Sequence, residues 1–194
     1  MSKTRLNLGK ISGVLVDGDK YVQDLIGQML RGFGLEHLAT FDRGDAAREH
    51  ISKGGVDLCI VEVALPDMPG TDLVKYIRRL DDPIIRMMPV VVLTGYTQVN
   101  AVELARDCGA NLVIKKPVSP QALFDRMAWV SKNQRPFIES ENYIGPDRRF
   151  KSIGPPGGVG RRATDLSAEV GAATEPNMSQ DEIDALLKPV KVGA

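Results

Sequence analysis

From residue 11 the chain alternates short apolar runs with segments of helical periodicity, five times in succession. The apolar runs occupy 11–16, 38–41, 58–63, 90–93 and 112–114, and helical spacing is legible in 20–33, 44–54, 70–80, 98–108 and 118–132. In the first helical segment Val22, Leu25, Ile26, Met29, Leu30 and Phe33 recur three and four apart, giving one apolar face. Gly34 follows as a stop signal. Short strands that are apolar throughout, rather than alternating, imply a parallel sheet covered on both faces. The predicted fold class is α/β, a doubly wound (βα)₅ domain over 11–132 with a five-stranded parallel sheet. Its functional crevice is expected at the carboxyl ends of the strands.

Beyond 132 the pattern lapses. Residues 133–177 are rich in glycine, proline and polar side chains and bury too little apolar surface to offset the entropy of ordering, so a largely flexible tail is expected. A short helical pattern returns within 178–189.

The chain of 194 residues thus suits one domain and a tail. Lysine plus arginine and aspartate plus glutamate each number 25, which removes the simplest argument for nucleic-acid binding. No helix-turn-helix pattern follows the domain, so a DNA-binding output is not expected. No apolar run approaches the ~18 residues of a membrane span, and the basic start lacks the apolar core of a signal peptide. A cytoplasmic protein is expected, with Cys59 and Cys108 as reduced, partly buried thiols.

The informative residues lie at strand ends. Asp17-Gly18-Asp19 follows the first run, Glu62 ends the third, Thr94-Gly95 ends the fourth, and Lys115-Lys116-Pro117 follows the fifth. In a doubly wound sheet these points converge, gathering carboxylates beside one hydroxyl and one lysine. Such a cluster suggests phosphoryl transfer to a carboxylate: close carboxylates hold a divalent cation that shields the incoming group. The lysine pairs with its oxygens and the hydroxyl donates to one of them.

The strings VLVDGD, DLCIVEVALPDMPGTDL, VVVLTGY and VIKKP together resemble the receiver domains of two-component response regulators, which share a flavodoxin-like fold. The resemblance places Glu62 at the phospho-acceptor position, normally aspartate, and Thr94 and Lys116 at the switch hydroxyl and the phosphate-site lysine. Asp17 matches the first residue of the acidic pair. Gly18 stands where the second, a metal ligand, is usual, and Asp19 lies one residue further along. Val113 stands at the switch aromatic. Asp17 and Glu62 would be the metal ligands, with Mg²⁺ binding weakened by Gly18. Glutamate is one methylene longer than aspartate, and a displacement of the attack line near 1 Å costs on the order of a hundredfold in rate. A Glu62 carboxylate reaching toward Lys116 and Thr94 would instead imitate an acyl phosphate. The expected state is therefore active-like, the alternative being a domain frozen in either form and used as a scaffold.

Two arginine pairs, Arg148-Arg149 within YIGPDRR and Arg161-Arg162, mark the tail. The first element is similar to one that follows some stand-alone receivers. It is expected to fold back along the domain with Phe137 and Tyr143 as anchors, the sharper alternative being an anion site that suits a cyclic dinucleotide. In the last element Ser179 and Glu182 form a capping box, and Ile183, Leu186 and Leu187 make one apolar edge that Pro189 terminates. At about nine residues such a helix does not stand alone in water and reads as one that folds into a partner's groove.

The nonapeptide SQDEIDALL, with Asp184 in its core, resembles the N-terminal peptide by which the flagellar switch protein FliM binds the chemotaxis regulator CheY. That resemblance implies docking on an active receiver, either the chain's own or another CheY-like protein. A flexible 45-residue connection has a mean span of roughly 35–40 Å, enough for docking in cis at an effective concentration on the order of millimolar. The function expected is a pseudo-receiver adaptor in chemotaxis or flagellar-motor control, not an enzyme, with histidine kinases or switch components as further partners. The alternatives are a genuine phospho-accepting regulator and a nucleotide-binding module working through the arginine pairs.

Overall fold

A computed structural model describes residues 8–95, 99–132, 135–141 and 143–147, with the side chains of 99–102 left aside. Five parallel strands, β1 (Ser12–Val16), β2 (His37–Phe41), β3 (Leu58–Glu62), β4 (Val90–Thr94) and β5 (Leu112–Lys115), form one sheet in the order β2-β1-β3-β4-β5. Every residue of β3 and β4 is buried, as their unbroken apolar runs require of central strands. The order reverses direction at β1, which pairs with both β2 and β3. The doubly wound architecture is therefore the one expected.

Helices α1 (Lys20–Gly32), α2 (Gly44–Ser52), α3 (Gly70–Ile77), α5 (Val99–Asp107) and α6 (Pro120–Lys132) carry the crossovers. Ile26 and Leu30 seat α1 in the core, while Leu25, at the rim of the predicted apolar face, is exposed. Phe33, at the end of α1, meets Phe124 of α6 edge-on at 5.3 Å, and Arg48 of α2 lies 3.9 Å over the ring of Tyr76 of α3. A sixth helix, α4 (Pro83–Met87), was not legible as a periodic segment because it spans five residues. Asp82 at its N-cap accepts from the Ile84 amide, and Pro83 fills the first turn.

The stretch expected to be flexible from 133 onward requires a correction at its start. Residues 137–146 form an antiparallel hairpin, β6 (Phe137–Ser140) with β7 (Tyr143–Pro146), joined through a two-residue connection. Phe137, Ile138, Tyr143 and Ile144 are partly buried and Gly145 and Pro146 fully so, which supplies the apolar burial that the polar composition conceals. Phe137 and Tyr143 both lie in this folded-back segment. The arginines at 148, 149, 161 and 162, the residues from 150 to 177 and the whole 178–189 element lie outside the described residues. Among the described residues no helix is long and apolar enough to cross a membrane.

Candidate functional site

The register puts the chemistry at one end of the sheet. Val16 faces Val61, Glu62 faces Leu93, and Thr94 faces Lys115, so Asp17, Glu62, Thr94 and Lys116 emerge side by side at the carboxyl ends. Asp17, Glu62 and Thr94 are buried. Lys116, whose amide donates to the Thr94 carbonyl at 2.7 Å, extends the β5 edge into the same crevice.

The Lys116 ammonium joins the two carboxylates. It donates to Asp17 Oδ2 at 2.5 Å and forms a short ion pair with Glu62 Oε2. Burial works to lower the Lys116 pKa, but the hydrogen bonds to Asp17 and Glu62 and their charges outweigh it, so the pKa lies above the ordinary lysine value. The remaining oxygens point back to the loops that hold them: Asp17 Oδ1 accepts from the Asp19 amide at 3.0 Å, and Glu62 Oε1 from the Ala64 amide at 3.3 Å. The result is a closed triad of one cation and two anions.

Asp19 does not join it. Its Oδ1 accepts from the Tyr21 and Val22 amides at 2.8 and 3.4 Å, so it is the N-cap of α1 and points away from the pocket. The physical reason is register: three residues past the strand end and directly before α1, the best acceptor role for a short carboxylate is the set of open amides that begins the helix. Gly18, between the two acids, is crowded, since a Cβ there would stand 3.0 Å from both Cγ and Cδ of Pro66. A side chain at 18 would require the proline to give way by a few tenths of an ångström.

The loop between β3 and α3 is braced on both sides. Gly70 approaches so closely that a Cβ would lie 1.9 Å from the Glu62 carbonyl, and its amide donates to Val63 at 2.7 Å. Only glycine fits there. Asp67 reaches across to α2, accepting from the Gly44 and Asp45 amides at 2.9 and 2.8 Å, and so caps a helix whose own N-cap residue, Arg43, supplies no side-chain bond. Burial works to raise the Asp67 pKa, but these amide bonds outweigh it and hold it below the ordinary value. Gln23, also unforeseen, is buried on α1 and donates through Nε2 to the carbonyls of Asp17 at 2.6 Å and Phe41 at 3.1 Å, fixing the first loop from beneath.

Comparison with known proteins bears on this geometry. The model of the response regulator receiver domain matches residues 14–128. The chain belongs to the receiver family. Among its relatives is the chemotaxis protein CheY of Pseudomonas aeruginosa, 25% identical over 114 residues, which cover 59% of this chain and 90% of CheY. Another is the polar-differentiation response regulator DivK of Brucella ovis, 27% identical over 111 residues, covering 56% of this chain and 85% of DivK. The crystal structure of a response regulator from Chloroflexus aurantiacus superimposes with a TM-score of 0.58 at 29% identity, over 64% of this chain and 100% of the other. Both the fold and a place in two-component signalling follow.

A receiver that uses magnesium needs several oxygen ligands around the ion, usually one or two carboxylates with the phosphate supplying more. Here the two available carboxylates share Lys116, Asp19 caps a helix and Gly18 has no ligand to give. Among the described residues no group of three or more His, Cys, Asp or Glu side chains is placed to hold a metal. This donor set does not fit a magnesium ion while Lys116 stays where it is.

Proposed function

We propose that this receiver signals by protein docking rather than by phosphoryl transfer, with Glu62 standing permanently in place of an acyl phosphate. The observation that carries this reading is Lys116 pairing with Glu62 and Asp17 together. In a phosphorylated receiver the lysine would neutralise oxygens of the incoming group. Here Glu62, longer by one methylene, already supplies that negative charge, and its extra length shifts the line of attack on an incoming phosphoryl group. The chain is then not an enzyme, and its face is set once, at folding.

The partner is inferred from the last element. Residues 178–189 have the sequence of a capped amphipathic helix similar to the CheY-binding peptide of FliM, and a relative in chemotaxis is consistent with the same pathway. The adaptor would capture a CheY-like receiver in competition with the flagellar motor, or cover its own receiver until displaced.

Two measurements test this. The full chain incubated with a small phosphodonor and magnesium should take up no stable label at Glu62, and stoichiometric incorporation there would overturn the pseudo-receiver reading. The full chain, labelled and titrated with a phosphorylated CheY-like protein, should bind it. Leu186→Ala should weaken that binding about tenfold or more, the loss of one buried anchor. Equal binding by both chains would remove the peptide from the account.

A further inference from the structure

The hairpin at 137–146 has no part in the pocket and lies at the opposite, amino-end pole of the sheet. It rests on the junction between α5 and β5. A Cβ on Gly145 would stand 2.8 Å from the Gly109 Cα and 2.7 Å from the Tyr143 hydroxyl, and one on Gly109 would stand 2.4 Å from the Ile144 carbonyl oxygen. Backbone therefore meets backbone at a distance that no side chain permits. Gly109 also has φ +98°, so its conformation and its closeness both demand glycine.

From the other side Gly109 is held by Arg78, whose Nε donates to its carbonyl at 2.9 Å. Phe137 of the hairpin lies over the same guanidinium at 5.5 Å. The hairpin is closed on itself by the Tyr143 hydroxyl donating to the Pro146 carbonyl at 2.8 Å and by the Asp147 amide donating to Pro136 at 2.6 Å.

The helix that ends at this junction is α5. Among the described side chains of α5, Ala105 alone is buried and Leu104 is 62% exposed. By contrast α3 buries Leu73, Val74 and Ile77. Over those described residues the last turns of α5 are lightly seated in the core, and segments with little apolar burial lie at the low end of local stability, so the C-terminal junction contributes restraint there. At its other end α5 begins five residues after Thr94 of the pocket.

We propose that the hairpin is a strap that holds α5 in its seat from the pole opposite the pocket. Freeing the strap frees the helix. Residue 148 follows the strap directly in sequence, so the strap links α5 to the chain beyond 147. A partner that pulls on the tail thereby acts on the helix beside the pocket.

The test is hydrogen exchange, followed by mass spectrometry, on the full chain and two variants. Gly145→Val drives a side chain into Gly109, and Tyr143→Phe removes one closing hydrogen bond without adding bulk. In both variants exchange should accelerate in 137–147 and in 103–110 together, by about tenfold or more for Gly145→Val and less for Tyr143→Phe, while α1 and β3 keep their protection. Loosening of 137–147 with 103–110 unchanged would reduce the hairpin to an appendage and overturn the proposal. So would unaltered hairpin protection in Gly145→Val, or an equal rise across the whole domain in Tyr143→Phe. Should Gly145→Val fail to fold, Tyr143→Phe decides by the same comparison of segments.

Discussion

Each pole of the sheet holds a cation, and the two are held in opposite ways. At the carboxyl-end pole Lys116 sits between the carboxylates of Asp17 and Glu62 and keeps 20% of its side chain exposed. At the amino-end pole Arg78 is 1% exposed and donates to neutral oxygens: the carbonyls of Gly109, Arg86 and Met88, and Asn111 Oδ1, all at 2.7–2.9 Å. Burial lowers the Arg78 pKa to about 10, still charged at neutrality. Charge pairing at a wet rim leaves a site whose members can be re-paired with an incoming group. A cage of backbone carbonyls around a planar fork cannot be re-paired without moving the chain, so it serves as structure.

The sharpest way to break this comparison is to remove the caged cation. Arg78→Met strands several buried acceptors at once and should cost about 3–5 kcal/mol in urea denaturation of the full chain. Arg78→Lys should recover little, because an ammonium lacks the fork. A loss under about 1 kcal/mol would mean that the carbonyls find other donors and that the pole is not clamped.

Lys116→Met comes next. It leaves two buried carboxylates facing each other and should cost about 2–4 kcal/mol at neutral pH. The folded pKa of Lys116 is raised above its unfolded value of 10.5. The stabilisation it confers is therefore complete below that pH and disappears only as the pH climbs through the raised folded value. Between about pH 7 and 9 the difference from wild type should be level, and a slope there would show that some other group titrates in the pocket.

A smaller effect distinguishes a brace from a ligand. Asp67→Ala uncaps α2 and should cost about 1 kcal/mol by thermal or urea unfolding. The Asp67 pKa is depressed from 3.8, so its contribution is present above that value and lost as pH falls through the lower folded one. The deficit should therefore persist at neutrality and fade in strong acid. Last, the thiols should do nothing. Burial pushes Cys59 up to about 12 and Cys108 up to about 11, so neither should react with a thiol reagent at neutral pH until the chain is unfolded.

Most of the doubly wound domain was legible because its signals are local and redundant. Five apolar runs and five helical segments recur with little interruption, and the four strand ends carry recognisable residues. What escaped were elements whose evidence is short or distant. The five-residue α4 is too brief for periodicity, although Asp82-Pro83 is a start signal. The hairpin hides in a glycine- and proline-bearing stretch, although Phe-Ile and Tyr-Ile flank a two-residue turn within it. The sequence groups Asp19 with Asp17 as pocket acids because two carboxylates flanking a glycine look alike, whereas Asp19 caps α1. Their roles differ by two residues of register against the open amides of α1.

By itself the sequence determined the order of elements, the depth of the central strands and the convergence of Asp17, Glu62, Thr94 and Lys116, since all follow from periodicity and the placing of residues at strand ends. Only the tertiary structure decided that Lys116 binds both acids, that Asp67 caps a helix over twenty residues away, and that Arg78 and a hairpin close the other pole. Those are contacts between residues far apart in the chain. Their partners are mostly backbone carbonyls and amides, which every residue carries and which no sequence pattern distinguishes until the chain is folded.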